Sequence, residues 1–186
     1  MSALAKPQAP LQLTGRLDAM LRVDHAGEYG AVQIYKGQRA VFEKLPHKAR
    51  MTSLLKEMEE GEQEHLATFD RLLTERNVRP TLLAPLWNAA GYALGAGTAL
   101  MGEKAAMACT SAVESVIEKH YQAQVDELDN QGEDDLRQTF ADFREDELGH
   151  YDTAIAEGAE DTPGYKILKG LITAGCHAAI KVSETI

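Results

Sequence analysis

The sequence has few cysteines, no surplus of positive charge and no long uninterrupted apolar run. Its two cysteines, Cys109 and Cys176, are far apart in the chain and match no metal-binding or redox spacing. We therefore expect a reducing compartment; the alternative is one disulfide between the two cysteines. Lys and Arg number 19 against 29 Asp and Glu, and the resulting net charge of −10 argues against nucleic-acid binding, which needs a basic surface.

Signals for β-structure, export and nucleotide binding are also absent. There is no sustained apolar–polar alternation, and no Asn-Gly or Asp-Gly pair to turn a hairpin. Because no Gly-x-Gly-x-x-Gly motif occurs, the chain lacks the usual fingerprint for binding a nicotinamide or a flavin. Residues 1–10 lack the apolar core and cleavage site of an export peptide, and we expect residues 1–16 to be a flexible lead-in.

What the sequence does contain is a helical pattern. A chain of 186 residues with 44% hydrophobic and 26% charged residues fits one globular domain, which we place at residues 17–186. Helical periodicity, proline and glycine breaks and polar turns predict an all-α protein with four long helices, over residues 17–45, 49–76, 103–128 and 133–157.

The segment 80–102, between the second and third predicted helices, contains no charged residue. Its length approaches the roughly 20 residues that span a bilayer, but Pro85 and several glycines weaken it as a straight spanning helix. We expect a long apolar crossover that lies in the plane of a membrane surface; a crossover buried in the protein is the alternative. Gly91 and Gly95 have a spacing that seats either a close helix neighbour or a dimer contact.

The C-terminal residues 165–186 form a further amphipathic pattern. Ile167, Leu171 and other apolar residues are interspersed with Lys166 and Lys169 in an otherwise acidic chain. This is the basic amphipathic type that binds anionic lipid. An extra C-terminal helix that only covers the bundle explains the pattern equally well.

Two Glu-x-x-His motifs carry the candidate chemistry. Glu62 precedes His65, and Glu147 precedes His150, by three residues, so each pair lies on one face of its predicted helix. Either motif alone is weak, because a solvated acidic helix face gives the same pattern in a chain this rich in Glu.

The spacing of two further glutamates strengthens the interpretation. Glu28 precedes Glu62 by 34 residues and Glu114 precedes Glu147 by 33, so each half of the chain offers Glu on one helix and Glu-x-x-His on the next. Ferritin-like bundles bind two metal ions with this ligand set. We therefore predict a ferritin-like four-helix bundle with the apolar crossover between helices two and three and the extra C-terminal amphipathic helix. Its predicted metal ligands are Glu28, Glu62, His65, Glu114, Glu147 and His150.

The surroundings of these residues favour bound metal over solvated charge. Glu114 lies among Val113, Val116 and Ile117, where an unpaired carboxylate is costly to bury. Four converging carboxylates repel each other unless cations lie between them, and two divalent ions would neutralise them. Carboxylate and imidazole donors suit iron or manganese better than a closed zinc site. An acidic interaction protein without metal is the remaining rival.

Several other polar residues lie near these motifs in the sequence. Tyr121 follows Glu114 by seven residues and returns to the same helix face, where it either bonds a ligand or is an ordinary core tyrosine. Asp152 is a candidate hydrogen-bond acceptor near His150. His25 lies one turn before Glu28, where it either approaches the site or is an ordinary helix-face histidine. The remaining candidates are expected on solvent-facing helix surfaces: His120, Glu59, Glu60 and Glu64.

Longer stretches of sequence are more specific than the ligand spacing. They include residues 23–31 (Val-Asp-His-Ala-Gly-Glu-Tyr-Gly-Ala), 85–88 (Pro-Leu-Trp-Asn), 105–114 and 143–147 (Phe-Arg-Glu-Asp-Glu). In these stretches, and across nearly the whole chain from Arg22 onward, the sequence resembles the demethoxyubiquinone hydroxylases, the di-iron monooxygenases of ubiquinone biosynthesis. All six ligand positions of that family are filled here.

The resemblance implies two iron ions and a reaction. Glu62 and Glu147 would bridge the ions, and the other four ligands would be divided between them. With O2, the centre would hydroxylate a polyprenylated methoxy-methyl-benzoquinol at its open ring carbon, with NADH as the external reductant and Tyr121 and His120 as candidate electron relays. A ferritin-like iron-storage or peroxide-handling protein is the alternative function, since it uses the same ligands.

The resemblance also implies a cellular setting. Family members are peripheral membrane proteins that in several organisms act with a lipid-binding partner protein of ubiquinone biosynthesis. We therefore expect a membrane surface as a partner, at the cytoplasmic face of a bacterial inner membrane or, alternatively, at the matrix side of the mitochondrial inner membrane. The formation of a homo-oligomer is left open.

Overall fold

The computed structural model describes residues 11–185, which form six α-helices and contain no β-strand. The helices are α1 (Leu11–Phe42), α2 (Ala49–Arg76), α3 (Ala84–Leu100), α4 (Glu103–Glu127), α5 (Asp134–Ala156) and α6 (Tyr165–Ser183). Short 3-10 turns at Pro46–Lys48 and Ala159–Asp161 precede α2 and α6. The predicted all-α class is confirmed.

The start of α1 differs from the prediction. The helix begins at Leu11 and not at Leu17, because Leu13 still packs against the core and so stabilises the additional turns. Residues 11–16 are helical, and the predicted flexible lead-in is wrong for them. Its remaining part, residues 1–10, lies outside the described part of the chain.

Turn chemistry ends the helices close to the predicted positions. α1 stops at Phe42, three residues early, in a turn that is closed by a 2.9 Å hydrogen bond from the Leu45 N–H to the Phe42 carbonyl. α2 ends at Arg76 as predicted, and Asn77 adopts the left-handed conformation (φ 55°) that caps helices. Gly102, with φ of 114°, allows the chain to turn between α3 and α4.

The four long helices α1, α2, α4 and α5 form the bundle, in which α1 packs on α2 and α4 packs on α5. Two apolar clusters fill its ends. One contains Leu17, Leu21, Phe69, Tyr121, Leu128 and Phe140, and the other contains Tyr35, Phe42, Met51, Leu55, Met107 and Ala154. Along each of the four helices the predicted ligands fall between these clusters. The fold therefore holds them in the middle of the bundle, where five of the six are buried and His150 is partly exposed.

Helix α3 corresponds to the apolar crossover and lies directly against α1. Their close approach depends on glycine, because a Cβ at Gly95 would lie 2.0 Å from the carbonyl oxygen of Ile34 and one at Gly91 would lie 2.8 Å from that of Gly30. A Cβ at Gly37 of α1 would likewise meet the backbone of α3, at 2.3 Å. Gly91 and Gly95 thus seat a close helix neighbour, the first of the two uses predicted from their spacing.

Helix α6 packs along α4 and also touches α1. Large apolar side chains on α3, on α6 and just before or after α3 remain exposed: Leu82, Leu86, Tyr92, Leu100, Met101, Ile167 and Leu171. The crossover is therefore buried on one face only. Within residues 11–185, no helix combines the length and the apolar character needed to cross a membrane.

Candidate metal centre

All six predicted ligands converge in the middle of the bundle. Their side-chain donor atoms fall into two groups, each with all of its atoms within 4.8 Å of one another. One group contains Glu28, Glu62, His65 and Glu147, and the other contains Glu62, Glu114, Glu147 and His150. Glu62 and Glu147 belong to both groups and are called the shared glutamates below; Glu28 and Glu114 are the outer glutamates. This geometry could hold two cations side by side.

Both histidines turn the same ring nitrogen inward. His65 Nδ1 lies 3.3 Å from Glu147 Oε1, and His150 Nδ1 lies 3.0 Å from Glu62 Oε1. The distances to the glutamate of the same motif are longer, 3.7 Å for His65 and 3.5 Å for His150. Each histidine therefore faces the shared glutamate of the opposite motif, which ties α2 to α5.

The centre concentrates unpaired polar atoms. Six carboxylate oxygens of the four glutamates, and Nδ1 of both histidines, are buried without a hydrogen-bond partner in the part of the chain that the structure describes. Burial, followed by repulsion from Glu147 and Glu62, raises the pKa of Glu114 well above its usual range. Burial alone would lower the pKa of His150, but the same two carboxylates outweigh it and raise that pKa to about 11. Cations at the centre would satisfy the unpaired atoms and remove the repulsion.

Two buried tyrosines bind the outer glutamates crosswise. The Tyr35 hydroxyl donates to Glu114 Oε1 at 2.6 Å, and the Tyr121 hydroxyl donates to Glu28 Oε1. Burial, together with the neighbouring carboxylates, raises the pKa of each phenol well above its usual value, so both remain protonated donors. Sequence reasoning singled out Tyr121 but missed Tyr35, although Tyr35 follows Glu28 by the same seven residues that separate Tyr121 from Glu114.

Asp146 is a second residue that the sequence reasoning missed. Its Oδ2 lies 3.1 Å from His65 Nε2, the ring nitrogen that points away from the centre. A carboxylate in this position fixes the ring and raises its basicity when the other nitrogen binds a metal. Asp152 was expected to accept such a bond near His150, but within residues 11–185 no hydrogen bond joins these two side chains.

Two other histidines that the sequence analysis singled out, His25 and His120, belong to neither donor group. His120 is half-buried, where a surface position was expected, and its Nε2 lies 3.2 Å from Asp24 Oδ1. Gln124 Nε2 donates to the same carboxylate at 2.9 Å. These three polar side chains therefore meet at Asp24, one helical turn before the outer glutamate Glu28. His25 is buried, and its Nε2 lies 3.0 Å from Asp70 Oδ1.

The expectation of a solvent position for Glu59 is wrong. Its side chain is buried and forms a 2.6 Å ion pair with Arg39 of α1. Glu59 precedes Glu62 by three residues, so it shares the face of α2 that is turned toward the bundle. Glu60 and Glu64 are exposed as predicted.

Two openings flank the centre on different sides. An apolar cavity of about 570 Å³ lies between α1, α3, α4 and α6, and its lining includes Gly27 and Val113, the residues just before the outer glutamates. A groove of about 590 Å³ between α2 and α5, called the acidic groove, is lined by His65 and His150 together with the acidic side chains of Glu57, Glu64, Glu145 and Asp146. The outer glutamates thus adjoin the apolar side of the centre, and the histidines adjoin the acidic side.

A helical bundle that brings four glutamates and two histidines to one buried centre is the arrangement of the ferritin-like carboxylate proteins. Within this class, the family model of ubiquinone biosynthesis protein COQ7 matches residues 15–183 of the chain. The chain belongs to this family.

Named relatives from bacteria and eukaryotes share most of the chain. The 3-demethoxyubiquinol 3-hydroxylase of Rhodospirillum rubrum is 51% identical over 172 residues, which are 91% of this chain and 78% of the relative. The mitochondrial NADPH-dependent 3-demethoxyubiquinone 3-hydroxylase of Rattus norvegicus is 48% identical over 171 residues, 90% of this chain and 77% of the relative. The mitochondrial 5-demethoxyubiquinone hydroxylase of Saccharomyces cerevisiae is 42% identical in an alignment of 185 positions, which covers 91% of this chain and 78% of the relative.

Proposed function

We propose that this chain is a monooxygenase that uses O2 to hydroxylate the ring of a polyprenylated methoxy-methyl-benzoquinol in ubiquinone biosynthesis. The observation that carries the proposal is the combination of two adjoining metal-donor groups with an apolar cavity beside the outer glutamates. The reaction class is supported by relatives at 42–51% identity, whose names are those of demethoxyubiquinol or demethoxyubiquinone hydroxylases.

The donor set fits two iron ions. Carboxylate and imidazole ligands suit iron, and four carboxylates neutralise two divalent ions. The unpaired inward atoms of the six residues support this fit, since a bound cation would satisfy them. Glu62 and Glu147 would bridge the ions because they belong to both donor groups, and each ion would keep one outer glutamate and one histidine.

The apolar cavity would receive the quinol. Its volume of about 570 Å³ lies within the roughly 300–1,000 Å³ typical of small-molecule sites. Trp87, Leu94, Leu171 and Ile180 contribute to a lining without charged side chains, which suits an aromatic ring and the first isoprene units. An iron-storage protein, the alternative function, has no use for such a cavity.

When bound, the iron pair would supply the redox chemistry that activates O2, and the chain's own residues would prepare the site for it. The apolar lining would exclude water from the quinol ring. Tyr35 and Tyr121 occupy one oxygen of each outer glutamate and leave the other free to face an ion. Because their phenols stay protonated, these tyrosines act as fixed donors that set the orientation of the carboxylates.

We propose His120 and Tyr121 as the relay for electrons. His120 is partly exposed and bonded to buried Asp24, and its chain neighbour Tyr121 bonds the outer glutamate Glu28. The resemblance led us to expect NADH as the reductant, whereas the name of the rat relative specifies NADPH. Each nucleotide should therefore be supplied separately in assays.

We also propose that α3 and α6 rest on a membrane surface. Both helices line the apolar cavity and carry exposed apolar side chains, among them Leu86, Leu100, Ile167 and Leu171. A long isoprenoid tail could then pass from lipid into the cavity without crossing water. The rat and yeast relatives are named as mitochondrial, which agrees with the second of the two expected locations. A lipid-binding partner protein and a homo-oligomer stay predictions.

The test combines protein loaded anaerobically with Fe(II), a short-tail demethoxy-quinol, NADH or NADPH, and isotopically labelled O2. We expect a product that is heavier by one labelled oxygen. Glu114→Ala and His150→Ala should abolish it with the helical content intact, whereas Glu60→Ala, which removes an exposed carboxylate from α2, should not. Oxidation of iron without hydroxylated product would support the storage alternative and contradict the proposal.

A further inference from the structure

The two halves of the centre differ on the side of the acidic groove. The halves of the chain repeat with an offset of 85 or 86 residues, and Asp146 and Gly61 occupy equivalent positions, each directly before a shared glutamate. Asp146 Oδ2 lies 3.1 Å from His65 Nε2. At the equivalent place a Cβ added to Gly61 would lie 3.6 Å from His150 Nε2. One histidine therefore has a carboxylate behind it, and the other faces a glycine.

Ring contacts increase this difference. The ring of His65 stacks on Phe143 with 3.9 Å between centroids, whereas His150 meets only the edge of Tyr35, at 6.1 Å. The side chain of His65 is 5% exposed and that of His150 is 16% exposed. Within residues 11–185, no hydrogen bond reaches His150 Nε2. The imidazole of His65 is thus held by Asp146 and Phe143 as well as by the shared glutamates, whereas that of His150 has no comparable partner on the side of the acidic groove.

We propose that the ion on the His150 side is the exchangeable member of the pair and that it enters and leaves through the acidic groove past Gly61. The ion on the His65 side is retained because Asp146 fixes its histidine. The negative side chains along the groove attract divalent cations to this entrance. The inference rests on the proposed two-ion centre and adds an order of loading and loss to it.

The experiment follows Fe(II) release from anaerobically loaded protein into an excess of a coloured ferrous chelator. We expect two phases, each of one ion per chain. Asp146→Ala should speed the slow phase about 10-fold or more and leave the fast phase unchanged, since loss of such a partner typically costs about 10–100-fold in metal affinity. Asp146→Asn keeps an oxygen that accepts from Nε2, so its slow phase should stay closer to that of wild type.

The reciprocal variant is Gly61→Asp, which gives His150 the missing carboxylate. The 3.6 Å approach of the added Cβ is ordinary contact, so the backbone need not move. This variant should slow the fast phase and leave the slow phase unchanged. Thermal melting of each metal-free variant checks that the helices are intact.

Matched controls separate the hydrogen bond from the charge of the groove. Glu145→Ala removes a carboxylate from the groove next to Asp146, and Gly149→Asp adds one where a Cβ meets no atom within 4 Å. Each variant changes the charge of the groove but no partner of a histidine, so any effect on release should be the same in both phases. Release of two ions in a single phase, or rates in the Asp146 and Gly61 variants that match these controls, would overturn the inference alone. Loading of fewer than two ions per chain would overturn the two-ion centre as well.

Discussion

Replacing Gly95 by alanine should force α3 away from α1 and destabilise the protein. The added Cβ would lie 2.0 Å from the Ile34 carbonyl oxygen, and the next two atoms, at 2.8 and 2.9 Å, also belong to the backbone of Ile34. Because backbone atoms cannot swing aside, the helices must separate by about 1 Å to restore the 3.0 Å below which real Cβ contacts essentially do not occur. Overpacking of this kind costs about 1–3 kcal/mol, and the gain in helix propensity offsets at most about 1 kcal/mol.

Gly97→Ala is the matched control in the same helix. Gly97 is exposed, and a Cβ there would meet no atom within 4 Å, so this variant should be stabilised by about 0.5–1 kcal/mol. Urea unfolding of the metal-free proteins measures both free energies. The two substitutions should change the unfolding free energy in opposite directions. Equal changes at the two positions would refute the idea that backbone contact at Gly95 seats α3.

Three further predictions concern the centre and the proposed membrane face. Tyr35→Phe leaves a buried oxygen of Glu114 unpaired, so the unfolding free energy of the metal-free protein should fall by about 1–3 kcal/mol; an unchanged urea curve would count against this bond. Tyr121→Phe should keep two ions but slow reduction of the loaded centre by NADH or NADPH in stopped-flow measurements, and an unchanged rate would remove Tyr121 from the relay. Leu86→Glu combined with Leu171→Glu should lower sedimentation with anionic vesicles at unchanged helical content, whereas equal sedimentation would exclude these side chains from membrane binding.

The position of the centre could be predicted because the number of residues between two side chains of a helix determines whether they share a face. A three-residue interval places Glu and His of one motif on one helix face, and the repeat of the two halves brings Glu28 and Glu114 alongside. The same repeat carries a signal for Tyr35, which stands to Glu28 as Tyr121 stands to Glu114. Tyr35 was therefore predictable from the symmetry of the halves, even though only Tyr121 was singled out.

Features that depend on contacts between helices could not be read from one helix at a time. Asp146 reaches His65 only because α5 faces α2 at that level. Glu59 is buried because it pairs with Arg39 of α1, and the sequence of α2 alone does not indicate this partner. The apolar cavity likewise requires α1, α3, α4 and α6 together, whereas the sequence predicted the apolar character of α3 and α6 without their placement.

The proposed bridging of two iron ions by Glu62 and Glu147 can be tested by one spectrum. Two ferric ions that share carboxylates couple antiferromagnetically and are silent in electron paramagnetic resonance, whereas isolated ferric ions are not. For protein loaded with Fe(II), washed and oxidised, we predict two irons per chain and no isolated ferric signal at low temperature. Two irons per chain that show the full signal of isolated ferric ions, or fewer than two irons per chain, would contradict a bridged pair at this centre.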